Sequence, residues 1–493
     1  RCRSSCRRES YSNPIVSSQN LSQIEGKRVN SQSRTVNRFF PESLATLSQF
    51  PSDFVWGVAT AAYQVEGAAN EGGRGPSIWD TFSHTAGLSR NGDTGDIACD
   101  HYHRWESDFD LLSYLGIGGY RLSLSWSRLQ PNGHGSLNQE GVSFYRSLLT
   151  GLSARGIKAF VTVYHWDLPQ PLENAGGWPN RETAYRFAEY TALVLAELGH
   201  LASEWITINE PWCVSFLGYG TGAHAPGRKN MRDAVAAAHH LNLAHGLALV
   251  EFRKASLGLR VGISNLVTDI VPASESEEDV MAVARLDAYN NRIFLDPVLL
   301  GDYSPIVRSV FAEFGFEELI AEGDLELISG PIDFVGINHY QRVIAWAEVG
   351  AGFLNLRERP AEPATTSFGW SVIPESLHDV LVRVSRDFTS LPIYVTESGA
   401  SFNDYVDPNG EVNDSERVSY FNDYLAAAGT AIRDGANLKG YFAWSFLDNF
   451  EWAEGYSKRF GLVYVDYRTQ ERIPKASAQW YRRLIAEHRD QSS

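Results

Sequence analysis

The stretch Trp205-Ile206-Thr207-Ile208-Asn209-Glu210-Pro211 runs through apolar and β-branched residues and then stops on an amide, a carboxylate and a proline. Apolar, β-branched runs of this length read as strands. Near-continuous apolarity means burial on both faces, as in a parallel sheet. Pro211 has no N–H for a strand ladder, which puts Glu210 at the strand's C-terminal end. The same pattern recurs along the chain. Further strands are expected at Phe54 to Ala59, Tyr120 to Trp126, Ala159 to His165, Val261 to Leu266, Phe334 to His339, Ile393 to Glu397 and Gly440 to Phe446. Amphipathic stretches lie between them, among them Arg104 to Leu115, Gly141 to Arg155, Arg181 to Leu198, Met231 to Phe252 and Ser415 to Arg433. Eight buried strands joined by helix-length crossovers predict an α/β fold, a single (β/α)8 TIM barrel occupying residues 46–493.

The residues at the strand ends predict where the chemistry lies. Tyr63 and Gln64 come after the first strand, Arg121 lies in the second, and His165 and Trp166 close the third. Asn209 and Glu210 end the fourth, Asn338, His339 and Tyr340 the sixth, and Glu397 the seventh; Trp444 lies in the eighth, with Glu451 and Trp452 just beyond. In a barrel the C-terminal ends of the strands form one rim, where active sites are built.

A carboxylate at the end of a buried strand is costly unless it is paired, so two on one rim require a reason. Cleaving an acetal supplies one, because it needs an acid for the leaving oxygen and an anion for the oxocarbenium-like centre. Different surroundings give identical groups different roles. Arg121 is placed to keep Glu397 ionised as the nucleophile, with Tyr340 donating to the same carboxylate. Glu210 has no evident cationic neighbour and becomes the acid/base. A pyranose also needs hydrogen-bonding side chains and a flat aromatic platform. Gln64, His165, Asn209 and Glu451 supply the former, Trp444 and Trp452 the latter, and Trp166 and Asn338 complete the substrate-binding set. The outer pocket is expected around His224, Trp346 and Trp370.

Composition narrows the alternatives. The chain has 493 residues, 43% hydrophobic and 12% aromatic with 13 Trp, far too apolar for disorder. A net charge of −16 and a pI near 5.3 argue against nucleic acid as a partner. Cys2, Cys6, Cys99 and Cys213 have neither disulfide-framework nor zinc-site spacing, so no metal is expected. No run approaches the roughly 18 apolar residues of a membrane span, and no apolar segment of about 7 to 15 residues comes after the basic start. A cytoplasmic protein without a membrane partner is the expectation. Residues 1–45 carry eight Lys and Arg against three acids, leaving a net of −21 on the remainder. They read as a disordered tail or a non-native extension.

With these residues identified, the chain resembles the β-glucosidases and relatives of glycoside hydrolase family 1 over essentially all of Phe50 to Arg483. The resemblance is carried by Phe54-Val55-Trp56-Gly57, Ala62-Tyr63-Gln64-Val65-Glu66-Gly67, Tyr120-Arg121-Leu122-Ser123 through Trp126-Ser127-Arg128, and His165-Trp166-Asp167-Leu168-Pro169. Thr207-Ile208-Asn209-Glu210-Pro211 looks like the acid/base motif and Val395-Thr396-Glu397-Ser398-Gly399 like the nucleophile motif. Trp444-Ser445-Phe446-Leu447-Asp448-Asn449-Phe450-Glu451-Trp452 is similar to the glycone-binding signature.

The resemblance implies a retaining β-glycosidase, most simply a β-glucosidase, acting on terminal β-D-glucosyl residues of small β-glucosides or cello-oligosaccharides. It implies no cofactor, and it places Trp444 beneath a sugar held by Gln64, His165, Asn209, Glu451 and Trp452. Self-association as a homo-oligomer stays open. Ser398 stands where the family usually has Asn, with altered bonding near the nucleophile expected. Ser376 stands where Gly is frequent, and only a loop adjustment is expected there. Two rivals are a 6-phospho-β-glycosidase and a non-catalytic sugar-binding protein. The acidic Glu451, the missing phenol at Phe460 and the presence of both glutamates count against them.

Overall fold

The computed structural model describes residues 47–491 except residue 364. Eight strands alternate with the principal helices: β1 Val55–Ala59, α1 His101–Tyr114, β2 Gly119–Ser123, α2 Gln139–Ala154, β3 Lys158–Tyr164, α3 Glu182–Leu198, β4 Glu204–Asn209 and α4 Met231–Ala255. Then come β5 Arg260–Leu266, α5 Glu277–Asp287, β6 Phe334–Asn338, α6 Glu375–Asp387, β7 Ile393–Ser398, α7 Ser415–Arg433, β8 Leu438–Trp444 and α8 Ala476–Gln491. The strands pair in parallel and in sequence order, and β1 closes the ring by pairing with both β2 and β8. The expected (β/α)8 barrel is therefore the observed fold. Side-chain oxygens of Asn138, Asn230 and Ser276 cap α2, α4 and α5, taking up N–H groups that the first helical turn leaves free.

Two expected strand ends differ by two residues or more. The run Tyr120 to Trp126 leaves the sheet after Ser123, and Trp126 opens a helical turn that stacks its indole on Tyr190 of α3 at 4.8 Å. The eighth strand starts at Leu438 and ends at Trp444, not at Phe446. The expectation for residues 1–45 falls outside the described residues. Among the described residues, Cys99 and Cys213 are buried free thiols, and no helix is long and apolar enough to cross a membrane.

The barrel interior is layered, and its layers position the site. At the N-terminal end four aromatic rings meet: Phe160 lies 4.7 Å from Phe442 and 5.2 Å from Tyr394, and Phe334 lies 5.3 Å from Tyr394. The floor fits because Gly57 and Gly119 face Phe442. A Cβ on Gly57 would stand 2.4 Å from that ring. Above the floor comes a layer of hydroxyls from Thr162, Ser264 and Thr396, all fully buried. Above those sit the strand-end side chains of the rim.

Two strands break their alternation just where the polar residues begin. On β4, Trp205 packs on Phe252 and Thr207 bonds to His245, both of α4, so odd residues point outward. Regular pleating would send Asn209 outward too. A register shift between Ile206 and Asn209 against β5 turns Asn209 into the barrel instead. On β7, the neighbours Thr396 and Glu397 both bond inside the barrel, across a second shift between Val395 and Glu397. Bulges re-aim side chains in this way beside active sites.

Candidate active site

Glu397 is 3% exposed and both of its oxygens are held. The Arg121 guanidinium of β2 donates to Oε1 at 2.5 Å, and the Tyr340 phenol donates to Oε2 at 2.6 Å. Arg121 is itself fixed by the Thr396 carbonyl at 3.1 Å and by Asn209 Oδ1 at 2.5 Å. Burial raises the Glu397 pKa, while Arg121, Tyr340 and Asn338 all act to lower it. Burial also keeps the Tyr340 hydroxyl protonated, so it remains a donor.

Glu210 is equally buried but differently held. Its Oε1 accepts from Asn338 Nδ2 at 2.7 Å, and its Oε2 accepts from the Cys213 thiol at 3.2 Å. Its hydrogen-bond partners are an amide and a thiol, not a cation, and Arg121 is only the last of the influences opposing its rise. Burial first, and then the charge of Glu397, push its pKa up to about 8. The two carboxyl groups are linked through Asn338, Asn209 and Arg121, because Asn209 Oδ1 accepts from both Asn338 and Arg121. The expectation of a cation on Glu397 and none on Glu210 matches this geometry.

The rest of the rim faces the same space. Asn209 Nδ2 donates to His165 Nε2 at 3.0 Å, which makes Nε2 the acceptor and puts the imidazole proton on Nδ1. Burial and Arg121 hold His165 neutral. Its Nδ1 has no protein partner among the described residues, and neither does Gln64 Oε1. One free donor and one free acceptor are thus buried in the site, a pair suited to a hydroxylated ring. Gln64 Nε2 is fixed at 3.0 Å by Asn449 Oδ1 and the Phe450 carbonyl. The ring planes of Trp444 and Trp452 lie within 18° of the His165 plane, and Trp166 packs 4.6 Å from Trp452. Glu451 keeps an edge toward solvent, and desolvation together with Glu397, Glu210 and Glu454 pushes its pKa up to about 8. The loop bearing it is anchored by Asp448, which accepts from Arg459 at 2.6 Å and Lys475 at 2.7 Å. Trp166, Glu210 and Trp452 all adopt positive φ, costing roughly 1 to 2 kcal/mol each, which the packing around them must hold.

Some expectations need correction. Both N–H groups of Asn338 are committed to Asn209 and Glu210, and its carbonyl accepts from Thr396 at 2.7 Å and Ser264 at 3.0 Å. With every polar valence used, it faces the protein and not a substrate. Trp166 likewise donates its Nε1 to the Asn209 carbonyl at 2.9 Å. Ser376 lies in α6 and not in a loop; its hydroxyl lies 2.7 Å from His339 Nε2, which accepts because His339 Nδ1 donates to the Val267 carbonyl, and 2.6 Å from the Ile373 carbonyl oxygen. Ser398, beside the nucleophile candidate, bonds the Tyr420 hydroxyl at 3.0 Å. His224 packs on Trp166 at 5.5 Å and Trp370 on Tyr340 at 5.2 Å. Trp346 lies in a hairpin strand opposite Arg357. Sequence reasoning missed the hydroxyl layer and Cys213, although the spacing of three residues between Glu210 and Cys213 at a helix start is visible there.

Comparisons with known proteins show which family the chain is similar to. The family model described as Glycosyl hydrolase family 1 matches residues 46–490. "Beta-glucosidase A" of Acetivibrio thermocellus is 45% identical over 438 residues, covering 88% of this chain and 98% of its own. "1,4-beta-D-glucan glucohydrolase" of Thermotoga neapolitana is 43% identical, covering 89% and 98%. The solved structure of a β-glucosidase from Thermotoga maritima in complex with deoxynojirimycin superposes with a TM-score of 0.87 at 44% identity, over 89% of this chain and 99% of that one.

Proposed function

This chain belongs to glycosyl hydrolase family 1, and as a glycoside hydrolase of that family, we propose, it is a retaining β-glucosidase working by double displacement. The observation that carries the reading is the unequal treatment of two buried carboxyls: a guanidinium and a phenol grip Glu397, an amide and a thiol hold Glu210. In the first step Glu397 attacks the anomeric carbon. The glycosidic C–O bond breaks, and Glu210 passes its proton to the departing oxygen. Once Glu397 is an uncharged ester, the repulsion that helped raise Glu210 is gone and its basicity falls. It then accepts a proton from the water whose oxygen bonds to C1 as the C1–ester bond breaks and Glu397 is released as a carboxylate.

In this reading Gln64, His165, Asn209, Glu451, Trp444 and Trp452 bind the glucosyl ring, Arg121 and Tyr340 orient the nucleophile, and Asn338 and Trp166 position Glu210 and Asn209. Substrates are small β-glucosides and cello-oligosaccharides, in keeping with the names of the bacterial relatives. A phosphorylated sugar fits poorly. The ammonium of Lys458 donates to the Ser367 carbonyl and lies over the Phe368 ring, while Glu451 presents a carboxyl group. We place the enzyme in the cytoplasm, where the buried unbridged thiols of Cys99 and Cys213 are stable.

Azide rescue tests the roles. Glu210→Ala should yield the β-glucosyl azide and Glu397→Ala the α-glucosyl azide; one anomer from both variants overturns the assignment.

A further inference from the structure

Glu210 accepts two hydrogen bonds of unlike kind. Asn338 Nδ2 can only donate, so Oε1 is an acceptor in every protonation state. The acidic proton therefore belongs on Oε2, the oxygen 3.2 Å from the Cys213 sulfur. Cys213 is 6% exposed, and its backbone N–H donates to the Glu210 carbonyl at 3.0 Å, so the turn itself sets the thiol against the carboxyl. We propose that Cys213 is a positioning residue for the acid/base, its thiol serving as a weak two-way partner of Glu210 Oε2.

When Glu210 is ionised, the S–H donates to Oε2. When Glu210 carries its proton, sulfur is a poor acceptor and leaves the O–H free for the glycosidic oxygen. A serine hydroxyl would do both tasks too well: it would stabilise the carboxylate more and compete for the acidic proton. An alanine would leave the carboxylate oxygen bare. Burial and the neighbouring carboxyls of Glu210, Glu397 and Glu451 keep the thiol protonated and so able to donate. The other groups acting on Glu210 are Glu397 of β7, Arg121 of β2, Asn338 of β6, Tyr340 after β6 and Glu451 after β8. Of these, Asn338 hydrogen-bonds to Oε1, and the thiol holds Oε2.

The proposal rests on Glu210 being the acid/base, which the azide products test separately. Its own test is the pH dependence of kcat/KM for Cys213→Ser and Cys213→Ala, with cellobiose and 2,4-dinitrophenyl β-glucoside as substrates. The basic limb should move down in the serine variant and up in the alanine variant. Each shift should be roughly half to one pH unit, the size expected for one neutral hydrogen bond, with the acidic limb fixed. The ratio of kcat/KM on cellobiose to that on the dinitrophenyl substrate should change at least threefold, since only cellobiose needs a proton for departure. A merely structural thiol would lower both substrates together. If the azide products come out as expected but both variants leave the basic limb and the ratio unchanged, or shift the limb in the same direction, the role of Cys213 is refuted while that of Glu210 stands. If the alanine variant does not fold, the serine variant alone decides by its downward shift.

Discussion

Removing the charge of Glu397 should lower the pKa of Glu210 without restoring it to that of a free glutamate. In the native protein burial first, and then the anion on Glu397, push the Glu210 pKa up to about 8. Glu397→Gln keeps the shape and an acceptor for Arg121 while deleting the second of these. Retaining pairs stand about 5 to 5.5 Å apart. At an effective dielectric of about 20, two unit charges at that distance repel by about 3 kcal/mol, or roughly two pKa units. Glu210 should therefore titrate at roughly 6 in the variant. The remaining elevation reports the desolvation that the mutation leaves in place. The assay is ¹³C NMR of enzyme labelled at the glutamate carboxyl carbon, with Glu210→Gln identifying the resonance. Esterifying wild-type Glu397 with a 2-deoxy-2-fluoroglucosyl group removes the same charge by another route and should lower the same titration. A shift below half a unit in both would refute the claim that the two carboxyls are electrostatically coupled. A fall all the way to the free-glutamate value would refute the part assigned to burial.

Other consequences are equally open to measurement. Tyr340→Phe removes a charge-assisted bond of 2.6 Å to Glu397, so kcat/KM on p-nitrophenyl β-glucoside should fall about ten- to a hundredfold; a loss under threefold would deny the phenol its role. Glu451→Ser should lower the rate on the glucoside and raise the relative rate on its 6-phosphate, by putting a small hydroxyl donor where a bulkier carboxyl group stands, and an unchanged ratio would remove Glu451 from the glycone site. Asp167 is fully buried and its pKa is pushed up to about 8 by burial, against about 3.9 in an unfolded chain. Between those values the native state holds a proton that the unfolded state lacks, so this group's contribution to stability declines as pH rises from about 4 to about 8. Asp167→Asn should accordingly raise the thermal midpoint by several degrees at pH 8 and by little at pH 4, as calorimetry would show. Ser376→Gly strands His339 Nε2 in the interior, a cost of about 1 to 3 kcal/mol, and should lower the thermal midpoint by a few degrees; an unchanged midpoint would make the bond dispensable.

The barrel and most of its rim are written in the order of residues alone. Buried parallel strands must be apolar on both faces, and any polar residue ending such a strand must meet its counterparts at one mouth. Eight apolar runs and the terminal Glu210 and Glu397 were therefore legible without coordinates, as was the pairing of Arg121 with Glu397. The direction of each side chain was not. Whether Asn209 points into the barrel depends on a register shift against β5, which the run Trp205 to Glu210 does not betray, because pairing belongs to two strands and not to one. Asn338 looked like a sugar ligand because its type suits one. Only the assembled barrel brought Ser264, Thr396, Asn209 and Glu210 around it and used every hydrogen bond it can make. The unequal treatment of the two carboxyls was expected from Arg121, but the partners that hold Glu210, Asn338 and Cys213, were not. A carboxyl's proton affinity is set by what lies within a few ångströms in space, and those neighbours come from strands far apart in the chain.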